Sequence, residues 1–157
     1  MDLTELQLRL AAGLTGRGPG PEGMDPGILE RARRSLESKR RRAAAHLLPR
    51  LRAALGPGWK DRFAEHAARY VPSGLLYHVD DAWELAEVLA RSPDREAAQS
   101  ARDDLVVLRL RWVRGRESGI GRVRERKGFL IARMRRPVRL LLIRMPGARG
   151  RVWRFRV

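Results

Sequence analysis

The side chains able to do chemistry are few in this chain, and they do not gather. His46, His66 and His78 lie twenty and twelve residues apart, so no two sit at the three- or four-residue spacing that pairs metal ligands on a helix. There is no cysteine, which excludes disulfides, thiolate zinc sites, iron–sulfur clusters and cysteine nucleophiles together. None of Ser35, Ser38, Ser73, Ser92, Ser100 and Ser118 stands in a Gly-x-Ser-x-Gly elbow. Gly115, Gly119 and Gly121 lie among arginines, without the Gly-Lys-Ser/Thr ending or the preceding buried strand of a phosphate loop. The one acid–base candidate is Asp80-Asp81 close to His78, and a helix N-cap beside a surface histidine explains it with less chemistry. Asp103-Asp104 is read in the same way. These residues predict a protein with no active site and no cofactor of its own.

What remains is charge. The 157 residues carry a formal net charge of +16, unevenly distributed. From Gly115 to Val157 fourteen Lys/Arg face two acidic residues, net +12, while residues 1–114 hold net +4. A hydrophobic fraction of 43% still allows a packed core, so the basic character does not imply a disordered tail. No apolar run approaches the roughly 20 residues that span a bilayer, and the acidic start Met1-Asp2-Leu3-Thr4-Glu5 is unlike a signal peptide. The expectation is a cytoplasmic protein with no membrane partner.

The elements that position this charge read as helices first. Asp2 and Glu5 form a capping-box pattern ahead of Leu3, Leu6, Leu10 and Leu14, and Gly16 to Gly23 interrupts the helix. Asp25-Pro26 opens a long helix with Ile28, Leu29, Ala32, Leu36, Ala43 and Leu47 on one face. Arg31, Arg33, Arg34, Lys39, Arg40, Arg41 and Arg42 are assigned to the opposite face, either solvated or available for electrostatic docking. Pro49 starts a short segment stopped by Gly56-Pro57-Gly58, and Trp59, Phe63, Ala67 and Tyr70 repeat at helical spacing. A helix capped by Asp80 or Asp81 buries Leu85, Val88 and Leu89. One capped by Asp94 runs through Ala98, Ala101, Leu105, Leu108 and Trp112.

After Gly115 the pattern changes. Residues 115–127 read as a linker, and 129–131, 138–143 and 152–157 read as strands bounded by Arg136-Pro137 and by Pro146 to Gly150. The expected fold is α+β, a helical bundle over 1–114 followed by a basic C-terminal module, 115–157, with a small three-stranded antiparallel sheet. An exposed sheet edge can take up an extended peptide as an added strand. Arg133, Arg135, Arg139, Val152, Arg154 and Arg156 are the candidate peptide-binding positions, their charge favouring an acidic peptide. The same arginines, with Trp153 or Phe155 stacking on bases, would suit the alternative of a nucleic-acid-binding regulator.

The order of segments carries a resemblance. Leu6-Gln7 and Ala11-Ala12-Gly13-Leu14 are followed by the long basic helix, then by Leu48-Pro49 and Leu55-Gly56. Trp59 to Tyr70, a break at Pro72, Asp81 to Leu89 and Asp104 to Trp112 complete the series. Over residues 3 to 112 the chain resembles the helical, often DNA-binding-labelled domain of the partner proteins of multinuclear non-haem iron-dependent oxidative enzymes, the methanobactin-biosynthesis-partner-like family. That resemblance implies a non-catalytic accessory subunit in a heterodimer with the iron enzyme. It also implies that the subunit holds the leader of a ribosomally synthesised precursor peptide as an added strand. Iron and oxidative chemistry would belong to the other subunit, with Arg34, Arg41 and Arg42 as the positions docking on it. This chain departs from the family in its short, arginine-rich C-terminus.

Overall fold

The computed structural model describes residues 2–72, 74–117, 120–126, 130–134, 140–144 and 152–156. Six α-helices come first: α1 (Leu3–Thr15), α2 (Pro26–Leu47), α3 (Pro49–Leu55), α4 (Trp59–Arg69), α5 (Tyr77–Leu89) and α6 (Arg95–Arg111). Local chemistry sets three of their ends. The Asp25 carboxylate accepts the Gly27 N–H at 2.6 Å with Pro26 in the first turn, and Asp94 accepts from Glu96 and Ala97 at 3.0 and 3.1 Å. Asp2 has N-cap backbone geometry, but its side chain makes no cap bond, so the expected capping box does not form. Gly16 closes α1 with φ of 72°, a left-handed conformation that favours glycine.

The core lies where α2, α3, α4, α5 and α6 meet. Leu48, Leu51, Phe63, Val79, Leu85, Leu105 and Leu108 are buried there, with the alanines Ala44, Ala82, Ala86 and Ala101 letting helix backbones approach closely. Trp59 packs beside Phe63, ring centroids 6.1 Å apart. In α5 the inward face is Val79, Ala82, Leu85, Ala86 and Leu89, and Val88, expected inward, is 53% exposed. The helix begins at Tyr77 with Leu76 as its N-cap, so Asp80 and Asp81 are not caps.

The seven residues of α3 are too few to hold a helix alone. The Asp104 carboxylate, reaching across from α6, accepts the N–H of Arg50 at 3.0 Å and of Leu51 at 2.9 Å, and the Arg50 guanidinium at 3.3 Å. Two donors orphaned at the start of α3 are thereby satisfied from fifty-four and fifty-three residues away. Burial pushes the Asp104 carboxyl up in pKa, against the bonds from Leu51 and Arg50 that favour its charge.

The expectation of a helical bundle joined by a linker to one three-stranded module is corrected. The chain is mostly helical, and a two-stranded antiparallel sheet, β1 (Trp112–Glu117) with β2 (Ile120–Glu125), continues directly from α6 across the span expected to be a linker. Trp112, expected to end α6, opens β1 instead. Gly115 and Gly121, read as breakers, lie within the paired strands, opposite Arg122 and Arg116. Trp112 and Val123 pack against the helical core, and the Arg126 N–H and guanidinium donate to the carbonyls of Arg111 and Arg109 at 2.9 and 2.8 Å. Further along, β3 (Leu130–Met134), β4 (Leu140–Arg144) and β5 (Val152–Arg156) pair antiparallel in the order β3-β4-β5, apart from the hairpin.

Phe63→Ala is expected to lower stability by about 3–5 kcal/mol. Asp104→Ala, which leaves two buried N–H groups unmet, should cost about 1–3 kcal/mol, more than Asp94→Ala at about 1 kcal/mol. Urea denaturation of the three variants checks both the sizes and the order.

Candidate functional site

Asp80 and Asp81, adjacent on α5, are about 100° apart around the helix axis and so reach different neighbours. Asp81 meets Arg40 of α2 through two bonds, Nε to Oδ2 at 2.8 Å and Nη2 to Oδ1 at 2.9 Å. Its Oδ1 also meets His66 Nε2 of α4 at 2.8 Å, and Arg40 Nη2 donates to the Tyr70 carbonyl at 2.8 Å. Asp80 accepts the Tyr70 hydroxyl at 2.6 Å and pairs with Arg114 of β1 at 3.1 Å. Arg114 further reaches Glu84 at 2.7 Å, Glu87 at 3.3 Å and the Tyr70 hydroxyl oxygen at 3.1 Å. The cluster joins three helices and the hairpin.

The His, Asp, Tyr and Arg groups of this set are bonded to one another. The Arg40 and Asp81 side chains are 8% and 1% exposed, and His66 is buried beside them. Arg40, assigned by its sequence neighbours to the basic outer face, is therefore a buried residue. Burial alone would raise the Asp81 carboxyl, but the bonds from Arg40 and His66 outweigh it and hold the group below the usual carboxylate value. Tyr70 is pushed up, first by burial and then by its bond to Asp80. Burial opposes the Arg114 charge, and Glu84, Asp80 and Tyr70 more than offset that and raise its pKa. The histidine bonded to Asp81 is His66 of α4, and Asp80 and Asp81, expected as an N-cap, lie inside α5.

The outward charges lie elsewhere. Arg34 is 78% exposed with its Nε bonded to Glu30 at 2.8 Å, and Arg41 faces Glu37 at 3.5 Å, both ordinary one-turn pairs along α2. Arg42 is exposed. Arg41 and Arg42, with Ala45 and His46, line a hollow on the helical body that Arg52 of α3 and Trp59 of α4 complete. Arg34 is not among its lining residues. Among the described residues no group of three or more His, Asp or Glu is arranged to hold a metal ion. None of the described helices is long and apolar enough to cross a membrane.

Of the expected peptide-binding positions, Arg133 lies on β3, opposite Leu141 of β4. Val152, Arg154 and Arg156 lie on β5, opposite Arg144, Leu142 and Leu140. β3 and β5 flank β4, so each has an edge without a partner strand in this sheet. Arg135 and Arg139 fall outside the described residues. The buried Arg40–Asp81 and Asp80–Arg114 pairs were missed because their partners are distant in sequence. The one available signal was position: Asp80 and Asp81 follow Tyr77 and Val79 at the spacing of a helix already under way.

Residues 4–91, more than half of the chain, match the family model described as SCO6045-like, C-terminal domain. No curated protein and no solved structure matches the chain. The match covers α1 to α5, with Arg40, His66, Tyr70, Asp80 and Asp81 inside it and Asp104 and Arg114 beyond it.

Asp81→Asn leaves the Arg40 charge buried beside a neutral partner and should cost about 3–5 kcal/mol at neutral pH. The folded-state pKa of Asp81 lies below its ordinary value of 3.8, so its contribution is present above about pH 4 and lost as pH falls through the folded value. The stability gap between Asp81→Asn and the parent protein should therefore narrow below pH 4, as urea midpoints across pH would show. Arg114→Met should loosen the hairpin while the body stays folded. Hydrogen exchange at Val113 and Val123 should quicken about tenfold or more, with the amide of Leu85 unchanged.

Proposed function

Because the chain belongs to the SCO6045-like, C-terminal domain family, we propose that it is a non-catalytic accessory subunit. It pairs with a multinuclear non-haem iron-dependent peptide-modifying oxidase and holds the leader of a ribosomally synthesised precursor peptide by β-strand addition. The observation that carries this reading is the coincidence of two extents. The segment order that resembles the oxidase partner proteins spans residues 3 to 112, and the family match falls on 4–91 within it.

Two features of the structure support a binding role. The buried charges of the helical body are engaged in holding helices and hairpin together, while Arg42 and Arg52 stay exposed on its surface. The unpaired edges of β3 and β5 supply backbone N–H and C=O groups to which an extended peptide can add. In this reading iron and oxidation belong to the partner. The net charge of +12 over Gly115 to Val157 selects an acidic leader.

Co-expression with the neighbouring genes of its locus, followed by pull-down and metal analysis, tests the proposal. The expected result is a heterodimer whose oxidase subunit contains iron and which binds the precursor leader. Arg154→Glu should then weaken leader binding by about tenfold, read by fluorescence anisotropy, with the melting temperature unchanged. Recovery of the chain alone with bound nucleic acid, its affinity falling steeply with salt whatever the sequence, would replace this reading with that of a nucleic-acid-binding regulator.

A further inference from the structure

The hollow between α2, α3 and α4 gathers like charges. Arg42, Ala45 and His46 share one face over the last two turns of α2, because residues three and four apart are neighbours on a helix. The chain turns at Leu48-Pro49, and α3 brings Arg52 to the same opening. Arg41 lines it too, but faces Glu37. Arg42, His46 and Arg52 have no carboxylate partner among the described residues.

Cations near a helix C-terminus interact favourably with the helix dipole, which accounts for a basic residue at the end of α2 and another at the end of α3. It does not account for their convergence on one concave site. Guanidinium groups brought together repel one another unless an anion lies between them, and an anion there gains charge-assisted hydrogen bonds from both helices. Ala45 and Trp59 supply an apolar wall for the methylene part of a side chain, and the volume, about 170 Å³, suits a single side chain.

We propose that this hollow is the docking site for an acidic segment of the oxidase subunit, with a carboxylate held between Arg42 and Arg52. The proposal rests on the accessory-subunit reading. It singles out Arg42 and Arg52 from the basic surface as the pair that selects the partner. A nucleic-acid backbone is a less suitable occupant, since neutralising successive phosphates needs a continuous basic track, whereas this is one concave site.

The test uses the full chain and two charge-matched double variants. Arg42→Glu with Arg52→Glu reverses the hollow, and Arg91→Glu with Arg95→Glu reverses two exposed positions outside it. A fluorescein-labelled oligoglutamate peptide is titrated against each, with inorganic phosphate and duplex DNA as competitors, and each is co-expressed with the oxidase subunit. Unchanged circular dichroism establishes that the variants fold, and Arg42→Gln with Arg52→Gln replaces the first if it does not. The expected result is a drop of about tenfold or more in oligoglutamate affinity and loss of the oxidase complex in the hollow variant only. Equal losses in both double variants would show diffuse attraction and overturn the proposal. Oligoglutamate binding lost with the oxidase complex intact would also overturn it, and so would displacement by phosphate or DNA at lower concentration than by unlabelled oligoglutamate. If the unsubstituted chain forms no complex with the oxidase at all, the accessory-subunit reading itself fails.

Discussion

A guanidinium and a carboxylate buried face to face, Arg40 with Asp81, constrain how α2, α4 and α5 lie against one another. Taking both charges out of water costs about as much as their attraction returns, so the pair adds little net stability over apolar side chains of similar size. Its consequence is geometric. A planar guanidinium donates two bonds to one carboxylate only in a narrow range of orientations, which restricts the register of α2 against α5. Arg40 also binds the carbonyl of Tyr70 where α4 ends, and His66 of α4 shares the same carboxylate. A sliding core of alanine and leucine would tolerate several helix registers; this one does not.

The second carboxylate extends the constraint outward. Asp80 takes up the Tyr70 hydroxyl and Arg114, so the hairpin is held on α5 through the residue next to the one that fixes α2. Glu84 and Glu87, one and two turns further along α5, complete the setting for Arg114. With the ionic groups of the interior matched in this way, Arg42 of α2 and Arg52 of α3 are among the arginines left on the surface. Among the described residues of 1–114, four carboxylates, Asp80, Asp81, Asp103 and Asp104, are buried as against one arginine, Arg40, which leaves the exterior of that body more basic than its net +4.

Local rules recovered what local rules control. Asp25-Pro26 and Asp94 cap helices by bonds to N–H groups two and three residues away, and the stripe Ala98, Ala101, Leu105 and Leu108 is buried as its spacing requires. One local rule failed, since Asp2 makes no cap bond. Other failures occurred where the deciding partner was remote. Asp80 and Asp81 resemble caps until Arg40 and Arg114 arrive from other elements, and Arg40 resembles its exposed neighbours until Asp81 is placed beside it. The hairpin was read as a linker because Gly119 and Gly121 are turn residues and its strands carry Arg114, Arg116, Arg122 and Arg124, whereas half-buried strands are recognised by apolar alternation. The basic hollow has no sequence signature, since Arg42, Arg52 and Trp59 sit on three helices.

The clamp that Asp104 places on α3 lies thirteen residues past the end of the segment that the family shares. Arg114 lies further still. During synthesis α1 to α5 emerge before either residue, and until α6 follows, the core lacks Ala97, Ala101, Leu105 and Leu108. The matched segment is thus smaller than the body that these contacts tie together. The earlier helices should collect as a loose, fluctuating assembly on the nascent chain and become a rigid body only when its last helix arrives.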